Sequence, residues 1–292
     1  MKASPSPGHH RPLRIDAHHH LWNPAARPHE WLAGEEMTPI RRRFTEADLR
    51  AATTSAAVGR TVLVQVLPNL DETAEFLTLA AGSPLIAGVV GWVDLTAPDV
   101  ADVLAGLRSG PGGRFLAGVR HLVQDEPDPR WLVRPDVLAG LRAVRDAGLV
   151  YDLLTLPHQL PVALEAVRAV PDLLFVLDHL SKPDVAGGSW RPWADRIGAL
   201  AKQPNVVAKL SGLLTQGDWA TWTVDDLRPY ADVALGAFGP GRLMVGSDWP
   251  VCLLAADYAR VFATAEELLS DCTADEAAQV FGGTASRVYG LG

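Results

Sequence analysis

The sequence predicts an α/β protein folded as a (β/α)8 barrel of the TIM type. Three observations predict it. Eight short apolar runs rich in Val and Leu recur along the chain, segments with helical periodicity lie between them, and titratable residues gather where the runs end. Near-continuous apolar strands alternating with helices imply a parallel sheet covered on both faces, and eight is the number that closes a barrel. A doubly wound open sheet is the rival, but no G-x-G-x-x-G turn follows the first strand.

In chain order, the predicted strands are Leu13–His20, Thr61–Leu67, Ile86–Val93, Phe115–Leu122, Leu149–Leu156, Leu173–His179, Val206–Leu210 and Leu243–Asp248. The clearest helical segments are Asp71–Ala81, Pro98–Leu107, Pro135–Ala147, Pro161–Val170, Pro192–Ala201, Val224–Phe238 and Tyr258–Leu269. Several open with Pro or with an Asp or Thr cap, as helix starts do. Thr273-Ala274-Asp275-Glu276 reads as a capping box for a last helix running toward Tyr289. Trp22–Arg43, with two tryptophans and several prolines, is longer than a usual connection and is expected to lie over the barrel mouth.

Composition narrows the class. With 292 residues, 48% of them hydrophobic, the chain can bury a barrel-sized core. A net charge of -8 argues against an electrostatic grip on nucleic acid or acidic membranes, and no apolar stretch approaches membrane-spanning length. The two cysteines, Cys252 and Cys272, give no disulfide framework and suit a reducing cytoplasm. Residues 1–12 read as a disordered arm without the apolar core of a signal peptide, and residues 13–292 as one domain, monomeric or homo-oligomeric.

The chemistry concentrates at the strand ends, where the active sites of such barrels lie. In Asp16-Ala17-His18-His19-His20 strand alternation places Asp16, His18 and His20 on one face and turns His19 away. Two imidazoles at that spacing can grip one metal ion. Zinc in a catalytic site takes about three protein ligands and one open position, and His18, His20, a later histidine and Asp248 supply such a set. Asp248 stands where it can take a proton from water and return it to a leaving oxygen. Arg120 is a candidate for a substrate hydroxyl, a carboxylate or a developing oxyanion. Gln65, His121 and Lys209 end other strands, and Trp22, Trp31 and Trp92 stand where a sugar ring could stack. Asp178, of opposite parity to His179, reads as structural, and Cys252 as a small buried hydrophobe.

As a set these residues resemble the amidohydrolase superfamily, and within it the amidohydrolase family 2 branch that contains sugar lactonases. The resemblance rests on Asp16–Trp22, on Leu177-Asp178-His179-Leu180-Ser181-Lys182-Pro183 and on Gly246-Ser247-Asp248-Trp249-Pro250, supported by Gly118–His121, Pro157–Leu160, Lys209–Gly212 and Phe281–Ala285. It runs from about Ile15 to the C-terminus. It implies a distorted barrel that hydrolyses an ester, lactone or amide. His18 and His20 match the strand 1 H-x-H, His158 and His179 the histidines of strands 5 and 6, and Asp248 the proton-transfer aspartate of strand 8. The bridging lysine or glutamate of two-metal members is missing, since strand 4 carries Arg120-His121. One divalent ion is therefore expected, zinc by preference, held by His18, His20, His158 and Asp248; a metal-free mechanism is the alternative within the branch.

The expected function is hydrolysis of a small-molecule sugar lactone, of L-fuconolactone or L-rhamnonolactone type, in cytoplasmic carbohydrate catabolism. Asp248 activates water, His179 polarises the carbonyl and Arg120 assists. The rival activities are a lactonase for 2-pyrone-4,6-dicarboxylate-type lactones, which would need several inward arginines, and a metal-dependent decarboxylase. A non-catalytic metal- or sugar-binding barrel is the rival from another class.

Overall fold

A computed structural model describes residues 13–292; the predicted arm at 1–12 lies outside the described residues. Eight strands form one sheet in the order of the chain: β1 (Arg14–His19), β2 (Val58–Val64), β3 (Ile86–Gly91), β4 (Leu116–His121), β5 (Val150–Leu153), β6 (Phe175–Leu177), β7 (Val206–Leu210) and β8 (Leu243–Val245). Every neighbouring pair is parallel. The ring closes between β8 and β1 at the mouth, where the Asp248 N–H donates to the His18 carbonyl at 2.8 Å and the His20 N–H to the Trp249 carbonyl at 2.7 Å. The (β/α)8 barrel expected from the strand count is the observed fold.

The outer layer consists of α1 (Glu46–Ser55), α2 (Leu70–Gly82), α3 (Val100–Ser109), α4 (Pro135–Asp146), α5 (Leu160–Ala169), α6 (Trp193–Ala201), α7 (Val224–Phe238) and α8 (Tyr258–Leu268). Helix α1 lacks the clear apolar period of the others, because its sequence EADLRAATTS buries only Leu49 and Thr53. Its start is nevertheless fixed by a capping box in which Asp48 takes the place usually held by Glu. The predicted box at Thr273 forms, with the Glu276 carboxylate accepting from the Thr273 N–H at 2.8 Å. It opens α9 (Ala274–Ala278), which passes through one π turn into α10 (Thr284–Tyr289).

Two apolar layers result. The outer one packs helices on the barrel and includes Leu63, Val119, Tyr151 and Phe175. The inner one fills the barrel with Ile15, Ala17, Val62, Val90, Val176 and Met244, and it also contains Ala285, Val288, Tyr289 and Leu291. The C-terminal segment thus plugs the barrel, and the Tyr289 hydroxyl donates to Asp152 on β5 at 2.8 Å.

Several strands are shorter than their apolar runs suggest. After Leu177 and Val245 the chain leaves the ladder to turn His179 and Asp248 into the mouth, and after Leu153 it leaves to reach the turn Pro157–Gln159. The expected shared face of Asp16 with His18 and His20 is a further difference. Ile15 and Ala17 point into the barrel core, and the β1–β2 register shifts between Asp16 and His19. The Asp16 carboxylate instead accepts from the Ser247 N–H (2.8 Å), the Ser247 hydroxyl (2.6 Å) and the Tyr258 hydroxyl (2.9 Å), which ties β1 to β8 and α8.

Candidate active site

His18 and His20 both face the mouth, because the register shift after Asp16 resets the alternation. The His20 Nδ1 donates to the Val64 carbonyl at 2.8 Å, which leaves its Nε2 lone pair free. That Nε2 lies 3.1 Å from His18 Nε2 and 3.4 Å from Asp248 Oδ1, and the third edge, His18 Nε2 to Asp248 Oδ1, is 3.8 Å. Ligands about 2.0–2.1 Å from a tetrahedral zinc stand roughly 3.4 Å apart. The three edges bracket that value, so His18, His20 and Asp248 fit one metal ion with a side open to the cavity. Arg120 Nη1 lies 3.3 Å from His18 Nε2, a contact that a bound cation would displace.

Asp248 itself has φ 55, in the left-handed region, just past the end of β8. Burial alone would raise its pKa, but His179, His20 and Lys182 outweigh that and hold the carboxyl below its ordinary value. His179 Nε2 is 3.9 Å from Asp248 Oδ1, and its Nδ1 is 2.9 Å from the Ser211 hydroxyl. Burial pushes the His179 imidazole down to about 4, so the ring is neutral at pH 7. Two glycines make room for this. A Cβ at Gly212, where φ is +69°, would stand 2.7 Å from His179 Nδ1, and one at Gly246 would stand 2.7 Å from the His18 Cβ.

Beneath the histidines lies a buried charge layer. Asp178 sits 2.9 Å from Lys209 Nζ, 3.1 Å from Arg120 Nη1 and 3.4 Å from His18 Nδ1. Burial would raise Asp178, yet the Lys209, His18 and Arg120 charges hold it well below the usual carboxylate range. Lys209 Nζ also bonds Asp152 at 2.6 Å and lies 3.0 Å from His18 Nδ1. Asp178, expected to be structural, lies directly under the site, within reach of His18 and His179.

A cavity of about 320 Å³ opens above this floor. His20, His179, Asp248 and Arg120 form its base, Trp22 and Trp31 from the loop after β1 stand in its wall, and Trp219 joins them from the segment after β7. Its polar side carries Gln124, Asp125 and Lys182, none of them singled out by strand-end position. Lys182 does sit in the Leu177–Pro183 stretch, three residues after His179, and that spacing is the signal that points to it.

Besides His18, which lies beneath the floor, five expected site residues do not line this cavity, and Arg120 lines it with most of its donors engaged elsewhere. His158 is exposed on the turn Pro157–Gln159, because β5 ends at Leu153 and the chain has swung outward to enter α5. It therefore stands apart from the His18, His20 and Asp248 donors that the expectation grouped with it. Trp92 Nε1 donates to His121 Nδ1 (3.0 Å), His121 Nε2 donates to Glu126 (2.6 Å) and the His121 ring stacks on Trp131 at 4.1 Å. Trp92 and His121 thus brace the segment after β4 and do not line this cavity. Gln65 is fully buried and accepts from Arg120 Nε (3.1 Å) and Nη2 (2.8 Å), while Lys209 lies in the floor. Arg120 reaches the cavity, but Gln65 Oε1, the Gln65 carbonyl, Asp178 and His18 engage its five donors. The role expected of Arg120, binding a hydroxyl or an oxyanion, rests on the one Nη1 donor that points at His18 Nε2. Cys252 is buried, as expected.

Comparison with known proteins agrees with this geometry. Residues 15–291 match the family model described as Amidohydrolase. A protein of Burkholderia multivorans called L-fucono-1,5-lactonase is 41% identical over 294 residues, covering 96% of each chain. One of the same name from Burkholderia ambifaria is 38% identical over 283 residues, covering 95% of each. A crystal structure of an amidohydrolase from Burkholderia multivorans with bound zinc matches with a TM-score of 0.90 at 38% identity, covering 96% of this chain and 100% of that one.

Proposed function

The chain belongs to the amidohydrolase family, and on that premise we propose that it hydrolyses a sugar lactone, of L-fucono-1,5-lactone type, to the aldonic acid. The observation that carries the reading is the convergence of His18, His20 and Asp248 on one point at the cavity base, with His179 alongside. His18, His20 and Asp248 would hold a divalent ion, zinc by the preference of this donor set. When bound, such an ion supplies Lewis acidity that eases deprotonation of water and polarises a carbonyl.

The chain's own residues do the rest. Asp248, kept ionised, takes the proton of the attacking water. His179 is neutral, and with Ser211 donating to Nδ1 its Nε2–H points into the cavity, where it stabilises the oxyanion that forms on the lactone carbonyl. The tetrahedral species collapses by breaking the bond to the ring oxygen, and Asp248 returns its proton to that oxygen. Trp22, Trp31 and Trp219 provide apolar surface for the sugar ring and exclude water. Two free cysteines accord with a reducing cytoplasm as the setting for this catabolic step.

Asp248→Asn should lower turnover by about 10²–10⁴-fold with unchanged circular dichroism. A sugar-lactone panel read with a pH indicator checks this, and retained activity in the variant would sink the mechanism. Stripping the protein with a chelator should cost at least about tenfold in activity, recovered on adding zinc, with metal content followed by elemental analysis. Full activity in metal-free protein would favour the histidine-only alternative. A dianionic 2-pyrone-4,6-dicarboxylate fits less well. The cavity's cations, Arg120 and Lys182, are balanced by Asp125 and Asp248. A decarboxylase would release CO2 from a carboxylic-acid substrate, whereas the lactonase turns a lactone and water into an aldonate and a proton with no CO2.

A further inference from the structure

We propose that Lys182 and Gln124 form the pair that reads the ring hydroxyls of the substrate, so that they set which lactone the site accepts. This rests on the lactonase reading above and deepens it. A neutral sugar presents hydroxyls that need charged or amide partners, and the base of the cavity offers few. Four of the five Arg120 donors are held by Gln65 and Asp178 and the fifth is turned to His18 Nε2 at the reacting centre, to which His20, His179 and Asp248 also belong.

Lys182 differs. Its ammonium has three donors, and among the described residues one of them is engaged, by Gln124 Oε1 at 2.7 Å. Two N–H groups remain for a ligand, as does the Gln124 amide nitrogen, which has no partner among the described residues. Both side chains line the cavity that His179 and Asp248 close at its base. They come from different connections, Gln124 after β4 and Lys182 after β6, so the pair spans two walls.

The backbone shows how Lys182 is brought there. His179, Leu180, Ser181 and Lys182 all have positive φ (51°, 50°, 61° and 51°), a left-handed turn built without glycine. The Lys182 N–H donates to the His179 carbonyl at 2.8 Å, which closes that turn and sets the two residues one turn apart. The turn is held from outside by Thr155 Oγ1 against Ser181 Oγ at 2.8 Å and by Trp193 Nε1 donating to the Leu180 carbonyl at 2.7 Å. Strain of this kind persists where the surroundings over-determine it, and here its product is a histidine and a lysine on one cavity. Gln124 is seated with equal care, since the Trp92–His121–Glu126 chain and the stacked Trp131 brace its segment.

The test uses the full-length protein and a panel of sugar lactones with analogues deoxygenated at single positions. Gln124→Leu should raise KM about tenfold or more on the best lactone while kcat stays within about threefold. Lys182→Met should raise KM likewise and is read by KM alone, since the Lys182 charge also lowers the Asp248 carboxyl. For one deoxygenated analogue, wild type and each variant should have equal KM, because the hydroxyl that the pair holds is gone. Unchanged KM in the folded variants, or a loss of kcat alike on every lactone in Gln124→Leu, overturns the assignment and leaves the lactonase reading standing. A wild type that turns over no lactone of the panel overturns the lactonase reading and this assignment with it.

Discussion

His19 is fully buried between two candidate metal ligands yet faces away from both, with its Nε2 on Thr61 Oγ1 at 2.9 Å. Burial pushes its pKa down to about 3, so the folded protein keeps the ring neutral where the unfolded chain, titrating near 6.5, takes a proton. The unfolded state therefore binds more protons below pH 6.5, and stability falls as the pH drops through that value toward 3. At pH 5 this one ring should cost about 2 kcal/mol relative to neutral pH. His19→Leu should narrow the difference between urea midpoints at pH 7 and pH 5 by that amount; an unchanged difference would mean that other groups carry the acid sensitivity. Single residues were also the most legible scale of the site. His18, His20, His179 and Asp248 all follow from strand ends and family likeness, and all four meet. Arg120 and Lys209 were legible as inward cations, but alternation says nothing of partners: Asp152 and Asp178 hold Lys209 beneath the floor, while Gln65 and Asp178 take most of the donors of Arg120 at the cavity base.

Strands and helices were legible nearly to the residue where the period runs clean, as in Val206–Leu210 and Val224–Phe238. Two kinds of local geometry escaped it. A register shift such as that after Asp16 changes which side chains share a face without changing the sequence pattern. A left-handed turn of four ordinary L-residues, each costing roughly 1–2 kcal/mol, has no glycine to announce it. The second omission hid Lys182. His158, which lies past the end of the fifth strand, was grouped with the metal donors by the family likeness alone, and the turn Pro157–Gln159 leaves it exposed.

For the molecule as a whole, the barrel followed from the strand count, while the plug did not. Nothing in the last helix marks it as an internal filler rather than one more outer helix. Its Tyr289 hydroxyl crosses the barrel core to Asp152, which binds Lys209, which in turn lies against His18. Burial raises Asp152 to about 6 even with Lys209 and Tyr289 beside it. Tyr289→Phe removes one buried donor from a carboxylate and should cost about 1–3 kcal/mol of stability. That corresponds to a few degrees in melting temperature for a protein of this size. Calorimetry measures it, and a melting temperature equal to the wild type would show that the hydroxyl contributes nothing to the buried network.

The ring of strands is fastened by the same short segments that carry the chemistry, through Asp248 to His18 and His20 to Trp249. An open sheet of the same eight paired strands, with that seam unmade, would have almost all of the architecture and none of the site, for the histidines and the aspartate meet only across it. Closing the ring and assembling the site are thus one event. The site cannot exist half-built, and whatever loosens the seam parts the donors in the same motion.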